Sequence, residues 1–339
     1  MLPIFIISRV ACGKGQVTCE RVFFTLPTCH LSLVTTFGKV NQNQPYTLEE
    51  NDDPKPRPVL VFGPAMKTML IFSLFFSCWA FYFCIAGSPK FAWLVAHGPE
   101  AGFPVNTVRL SEAFYNFFIF AIPAIVFANA FAPEKFKWFK LNKPVSPQLL
   151  LLGVIAMAAA IFGFLYIENI ITNALTDPQV KEYEKAVQAQ NNWVYNMPAF
   201  SDLLTCLFAS AFVPAVCEEL FFRGTLQQQL SEWTKKPHIA IFITAVFFTL
   251  LHADIAGLPT VFAGGLMLGY AFYWTGSLRT NILMHFIFNG LTIVLDFIQQ
   301  RSPALAKWEP GNFTTIIGLS LSAVFMFLLW KKTRSQLVS

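Results

Sequence analysis

Charge is scarce in this chain. Asp, Glu, Lys and Arg make up 13% of its 339 residues, about half the roughly 25% of a soluble domain. The apolar share is 55%, Phe alone occurs 38 times, and mean hydropathy is +0.52. A soluble fold of this length cannot hide so much apolar surface, which leaves a polytopic membrane protein. Paired cysteines are missing too. The seven present, at 12, 19, 29, 78, 84, 206 and 217, form an odd set without a CxxC, which argues against a disulfide framework or zinc ribbon. Four lie in candidate membrane helices, and Cys217, although next to Glu218, reads as a small buried filler. No repeat of fixed period occurs, which excludes a solenoid. The net charge of +5 is spread between apolar runs rather than gathered in one patch, so no nucleic-acid partner is expected.

Residues 1–65 differ from the rest. They hold three Cys, mixed polarity and then the Pro- and acid-rich stretch Glu49 to Pro58. No cationic segment precedes Met1–Ile7 and no clean small-residue cleavage site follows, which argues against a secretory signal. The expectation is a disordered or non-native extension. From Met66 onward about eight apolar segments lie near 68–88, 112–132, 148–172, 201–222, 239–254, 257–275, 280–299 and 313–330, each near the roughly 20 residues of a span. The fifth is short, and the sixth carries Gly257, Gly264, Gly265 and Gly269; either can tilt, break or re-enter. The polar stretch Asp177–Ala199 contains a candidate amphipathic helix over 180–194, read as a solvated connector. The division expected is the extension at 1–65, membrane helices and a polar loop at 66–200, a functional core at 201–299, and a last helix with a basic tail at 300–339.

Basic residues set the orientation. Arg57 and Lys67 precede the first segment, Lys135, Lys137, Lys140 and Lys143 follow the second, and Arg223, Lys235 and Lys236 follow the fourth. Arg279 stands between the sixth and seventh, and Lys331, Lys332 and Arg334 follow the eighth. All fall on one side if eight segments span. Both termini then face the cytoplasm, in the plasma membrane if the source is bacterial.

Three polar motifs interrupt the apolar runs. Acidic groups at membrane depth cost roughly 2.5–3.5 kcal/mol each, so they usually serve a site. In Glu218-Glu219-Leu220-Phe221-Phe222-Arg223, Glu219 and Arg223 share a helix face at i, i+4 and can neutralise each other. Glu218 points about 100° away with no cation on its face, as suits a general base. Phe248 stands one turn before His252 and can wall its imidazole. His285 and Asn289 share one face. Alone, the first histidine reads as a satisfied helix-end residue, and the second pair equally as polar glue between helices.

Together, in order and spacing, EExxxR, FxxxH and HxxxN resemble the CPBP family of intramembrane proteases, which includes type II CAAX prenyl proteases and bacteriocin-immunity-like members. Phe222-Arg223-Gly224, Gly269-Tyr270 and Thr275-Gly276-Ser277-Leu278 fit the resemblance, which covers roughly residues 201–292. It implies an all-α polytopic fold around a polar intramembrane cavity and an endopeptidase acting on a membrane-associated or lipidated protein. It also implies Glu218 as the base that activates water, His252 as its partner in placing that water, and His285 and Asn289 as oxyanion donors. Glu219, Arg223 and Phe248 would be structural support. The family is labelled a metalloprotease and also argued to be a metal-free glutamate protease. The reading here favours no cofactor, with Zn²⁺ on Glu218, His252 and His285 as the alternative.

HExxH, GxGD and GxSG are absent, which excludes the zinc site-2, aspartyl and rhomboid types; Ser277 reads as part of a turn. A proton-coupled transporter is the competing class, weakened because the polar residues concentrate in one half of the chain without a repeat. A non-catalytic immunity or scaffold role also stays open. Depth poses a difficulty. Glu218 and His285 lie five or six residues from basic boundaries, roughly 8–9 Å, whereas His252 lies sixteen residues past Lys236, roughly 24 Å. They meet only if the fifth segment tilts, protrudes or opens into water; a protruding start above a cytoplasm-facing cavity is expected.

Overall fold

A computed structural model describes residues 62–86, 104–132, 134–252, 254–306 and 308–338; the expected extension at 1–65 lies almost wholly outside these. Among the described residues every regular element is helical. The first two helices are α1, Pro64–Ala86, and α2, Val105–Phe131, the latter with a π-helical turn at Phe117–Ala121. After a helical turn at Lys135–Trp138 comes α3, Pro147–Ala174. Its start is fixed by Pro147 and by Ser146, whose Oγ accepts the Leu149 amide at 3.3 Å. The polar stretch forms α4, Pro178–Val194, capped by Asp177 Oδ1, which accepts the Gln179 and Val180 amides at 2.8 and 3.1 Å. Then follow α5, Phe200–Thr234; α6, Pro237–Leu250; α7, Leu258–Thr275; α8, Leu278–Gln299; and α9, Asn312–Val338.

Six of these, α1, α2, α3, α5, α8 and α9, are long and apolar enough to cross a membrane. The fifth and sixth expected segments appear as the 14-residue α6 and the 18-residue α7. The protein is a multi-pass integral membrane protein. One boundary needs correction. The sequence reading ends the fourth segment at residue 222 and counts Arg223 among the cations beyond it. Instead α5 continues to Thr234, and Arg223 is fully buried. Its charge is neutralised one turn back by Glu219, so it marks no membrane surface.

The correction removes the depth difficulty. Lys235, in the left-handed conformation (φ 58°), turns α5 into α6. Glu218 and His252 stand seventeen residues before and after it, so an antiparallel hairpin brings them to one height, about 25 Å from the turn. The α6–α7 pair is close because α7 is glycine-rich: a Cβ on Gly269 would come within 2.7 Å of Ile241 Cγ2. Gly276 (φ 58°) then ends α7 and releases the chain into α8.

Phenylalanine fills the space between α1, α2, α5 and α6. Phe75 packs tilted against Phe221 at 5.2 Å, Phe120 likewise against Phe222 at 5.4 Å, and Phe222 meets Phe248 edge-on at 4.9 Å. Each such pair contributes about 0.5–1.5 kcal/mol beyond area burial, a useful increment where lipid supplies no hydrophobic drive. At the end of the bundle away from Lys235, the buried Arg109 of α2 staples the α4–α5 connection. It donates to the carbonyls of Val194 (2.8 Å) and Asn196 (2.7 Å) and to Asp202 Oδ1 (2.8 Å).

Candidate active site

Glu218 and Glu219 sit in the α-helical middle of α5, between π-helical turns at Leu207–Phe212 and Phe222–Gln227. Wide turns of this kind re-aim the side chains that flank them and recur at functional sites. Glu219 is fully committed. Its Oε1 accepts from Arg223 Nη1 at 2.6 Å and from His285 Nδ1 at 3.0 Å, and its Oε2 accepts from Asn281 Nδ2 at 3.3 Å. Arg223 in turn donates through Nη2 to the Gly265 carbonyl of α7 at 3.0 Å, and its guanidinium lies 5.0 Å from the Phe248 ring centre. One buried ion pair therefore ties α5, α7 and α8 together.

Glu218 is also buried, at 9% exposure, yet it stands outside that network. Its Oε2 is 3.9 Å from His285 Nε2, beyond direct hydrogen-bond range. The ionisable groups near it are His285 and His252, besides Glu219 and Arg223. His252 lies just past the end of α6, half-buried. Its Nδ1 is 2.9 Å from the Phe248 carbonyl. A carbonyl only accepts, so Nδ1 carries the proton and Nε2 keeps its lone pair. Phe248 stands between the imidazoles, its ring 4.7 Å from that of His252 and 6.1 Å from that of His285. Asn289 is half-buried one turn beyond His285 on α8.

The sequence-derived residues thus divide into groups. Glu218, His252, His285 and Phe248 are gathered by α5, α6 and α8, and Glu219 and Arg223 form the pair beneath them. Asn281 escaped the sequence reading, although it stands one turn before His285; its Nδ2 also donates to the Leu268 carbonyl at 2.6 Å. The i, i+4 spacing of Asn281, His285 and Asn289 was its available signal. Zinc does not fit this arrangement. Among the described residues no three His, Cys, Asp or Glu side chains come together closely enough to hold a metal ion.

Residues 200–291, from the start of α5 to beyond Asn289, match the family described as type II CAAX prenyl endopeptidase Rce1-like. The matched stretch holds the EExxxR, FxxxH and HxxxN motifs that resemble the CPBP family. A curated relative, the membrane-embedded CAAX protease MroQ of Staphylococcus aureus (strain USA300), is 27% identical over 112 residues, 32% of this chain. The chain spans 45% of the length of that relative. No solved structure matches. This match covers α5 to α8, the helices that carry every residue of the site described above.

Proposed function

We propose that this protein is an intramembrane endopeptidase that hydrolyses a peptide bond in a membrane-associated or lipidated substrate. The observation that carries the reading is the division of labour between adjacent carboxylates: Glu219 is held by Arg223, His285 and Asn281, while Glu218 faces two imidazoles without a fixed partner. In this mechanism Glu218 takes a proton from water, and the water oxygen attacks the peptide carbonyl carbon. His252 Nε2 accepts the second water hydrogen and so orients the attack. Glu218 Oε2 and His285 Nε2, 3.9 Å apart, can both reach one molecule held between them at about 2.8 Å from each. As the tetrahedral intermediate forms, Asn289 donates to its oxyanion through Nδ2, and His285 donates through Nε2–H as an imidazolium paired with Glu219. Collapse breaks the C–N bond, and Glu218 passes its proton to the leaving amine. General-base catalysis supplies about 10²–10⁴-fold and an oxyanion donor about 10²–10³-fold.

The basic residues Lys67, Lys135, Lys137, Lys140, Lys143, Lys235, Lys236, Arg279, Lys331 and Lys332 support a cytoplasmic location for both termini, and we place the protein in the plasma membrane. A quenched fluorogenic farnesylated CAAX peptide, offered to purified protein in nanodiscs, tests the activity; Glu218→Gln also serves as a substrate trap in cells if that peptide is not the natural type. Cleavage should be lost in Glu218→Gln and unchanged by a chelator. Equal turnover by wild type and Glu218→Gln would refute the reading.

A further inference from the structure

Helix α4 is polar and mostly exposed, yet Glu184, at its centre, is buried at 4% exposure. A surface connector has no need of a buried carboxylate. Glu184 uses its Oε1 to accept the Ile255 backbone amide at 2.9 Å, three residues beyond His252 in the turn that joins α6 to α7. A second carboxylate in that turn, Asp254, accepts the Gly257 amide at 3.0 Å and lies near Glu168 of α3. The turn is therefore held from outside by α4, while His252 is held from inside through its own helix end, by Nδ1 to the Phe248 carbonyl at 2.9 Å and by its backbone amide to the Thr249 carbonyl at 3.0 Å. The position of α4 is itself fixed, because the buried Arg109 holds the Val194 carbonyl at its last turn.

We infer that Glu184 is a positioning residue for His252, and that α4 acts as a strap which sets the imidazole against Glu218 through the backbone of residues 252–255. The inference rests on the protease reading above and adds α4 to the working parts of that site. A charge-assisted bond from a buried carboxylate to a backbone amide is among the stronger single tethers available. A shift of about 1 Å in a group that orients the nucleophile costs on the order of 10²-fold in rate.

The test uses the full chain in nanodiscs with two readouts: turnover of the farnesylated CAAX peptide, and hydrogen exchange of the backbone amides of residues 251–257 by mass spectrometry. Glu184→Ala should lower kcat about ten- to hundredfold with KM unchanged, and the turn should exchange faster. In Glu184→Gln the side-chain carbonyl still accepts the Ile255 amide, so both readouts should return close to wild type. If Glu184→Ala does not accumulate, Glu184→Asp keeps the charge but falls short by one methylene, and should show reduced kcat and faster exchange. Wild-type kcat and exchange in Glu184→Ala or Glu184→Asp would overturn the inference, as would a Gln variant as impaired as the Ala variant. Wild-type protein that cleaves no peptide, while Glu184→Ala still loosens the turn, counts against the protease reading and not against the tether.

Discussion

Glu218 and Glu219 are the same amino acid in adjacent positions, and about 100° of helix rotation gives them different chemistry. Glu219 turns toward Arg223, His285 and Asn281, so its substitution removes a counter-charge from a fully buried guanidinium. Breaking such a pair typically costs about 3–5 kcal/mol. Arg223→Ala, which strands Glu219 instead, should therefore lower the thermal unfolding midpoint in detergent sharply, with loss of activity following loss of fold. Glu218→Gln should do the opposite, keeping the midpoint while kcat falls by about 10²–10⁴-fold. The Glu219–Arg223 relation was legible from i, i+4 spacing alone. The Gly265 carbonyl that receives Arg223 was not, since it lies 42 residues away on another helix and a backbone acceptor leaves no mark in sequence. Treating Arg223 as a surface cation was the corresponding error: a charge counted for topology has first to be shown to lack a partner nearby.

At the level of elements, the site depends on two antiparallel helices that differ in length. The 35 residues of α5 and the 14 of α6 meet at Lys235, and the equal spacing of Glu218 and His252 about that turn gives them the same height. The sequence made the shortness of α6 and the glycine content of α7 visible. It did not make visible that α5 outlasts its apolar run, because residues 223–230 are polar yet buried among helices: Arg223, Thr225, Gln227 and Gln229 are each exposed by 3% or less. Gln227 donates to the Gly269 carbonyl at 3.0 Å and so extends the α5–α7 contact begun by Arg223. Lys235 offers a separate check on the hairpin. A left-handed conformation costs a non-glycine residue about 1–2 kcal/mol, of which glycine returns part through its larger unfolded-state entropy. Lys235→Gly, at an exposed position, should stabilise the protein by about 0.5–1 kcal/mol, read as a small rise in the unfolding midpoint without change in turnover.

For the molecule as a whole, the question is which face of the membrane admits water to Glu218. The turn that carries His252 rests on α4 through Glu184, and α4 is further tied to α2 by Arg109. That end of the bundle carries these tethers over the His252 turn. The other end carries the basic loop after α2. There Lys140 packs 4.9 Å over the Phe272 ring, its carbonyl accepts the Leu278 amide at the start of α8, and burial with neighbouring Lys143 pushes its ammonium below the ordinary lysine range. His285 stands seven residues into α8 from Leu278, about 10 Å from this end, so the short way from water to the site runs past the basic loop. The expected outcome is specific. In a cysteine-free background and sealed vesicles, cysteines at 140 and 252 should react with a small membrane-impermeant thiol reagent from the same face, and a cysteine at the exposed Glu182 of α4 from the opposite face. Reaction of position 252 from the α4 side would place the cavity mouth at the other surface, and the peptide bond that Glu218 meets would then have to arrive from there.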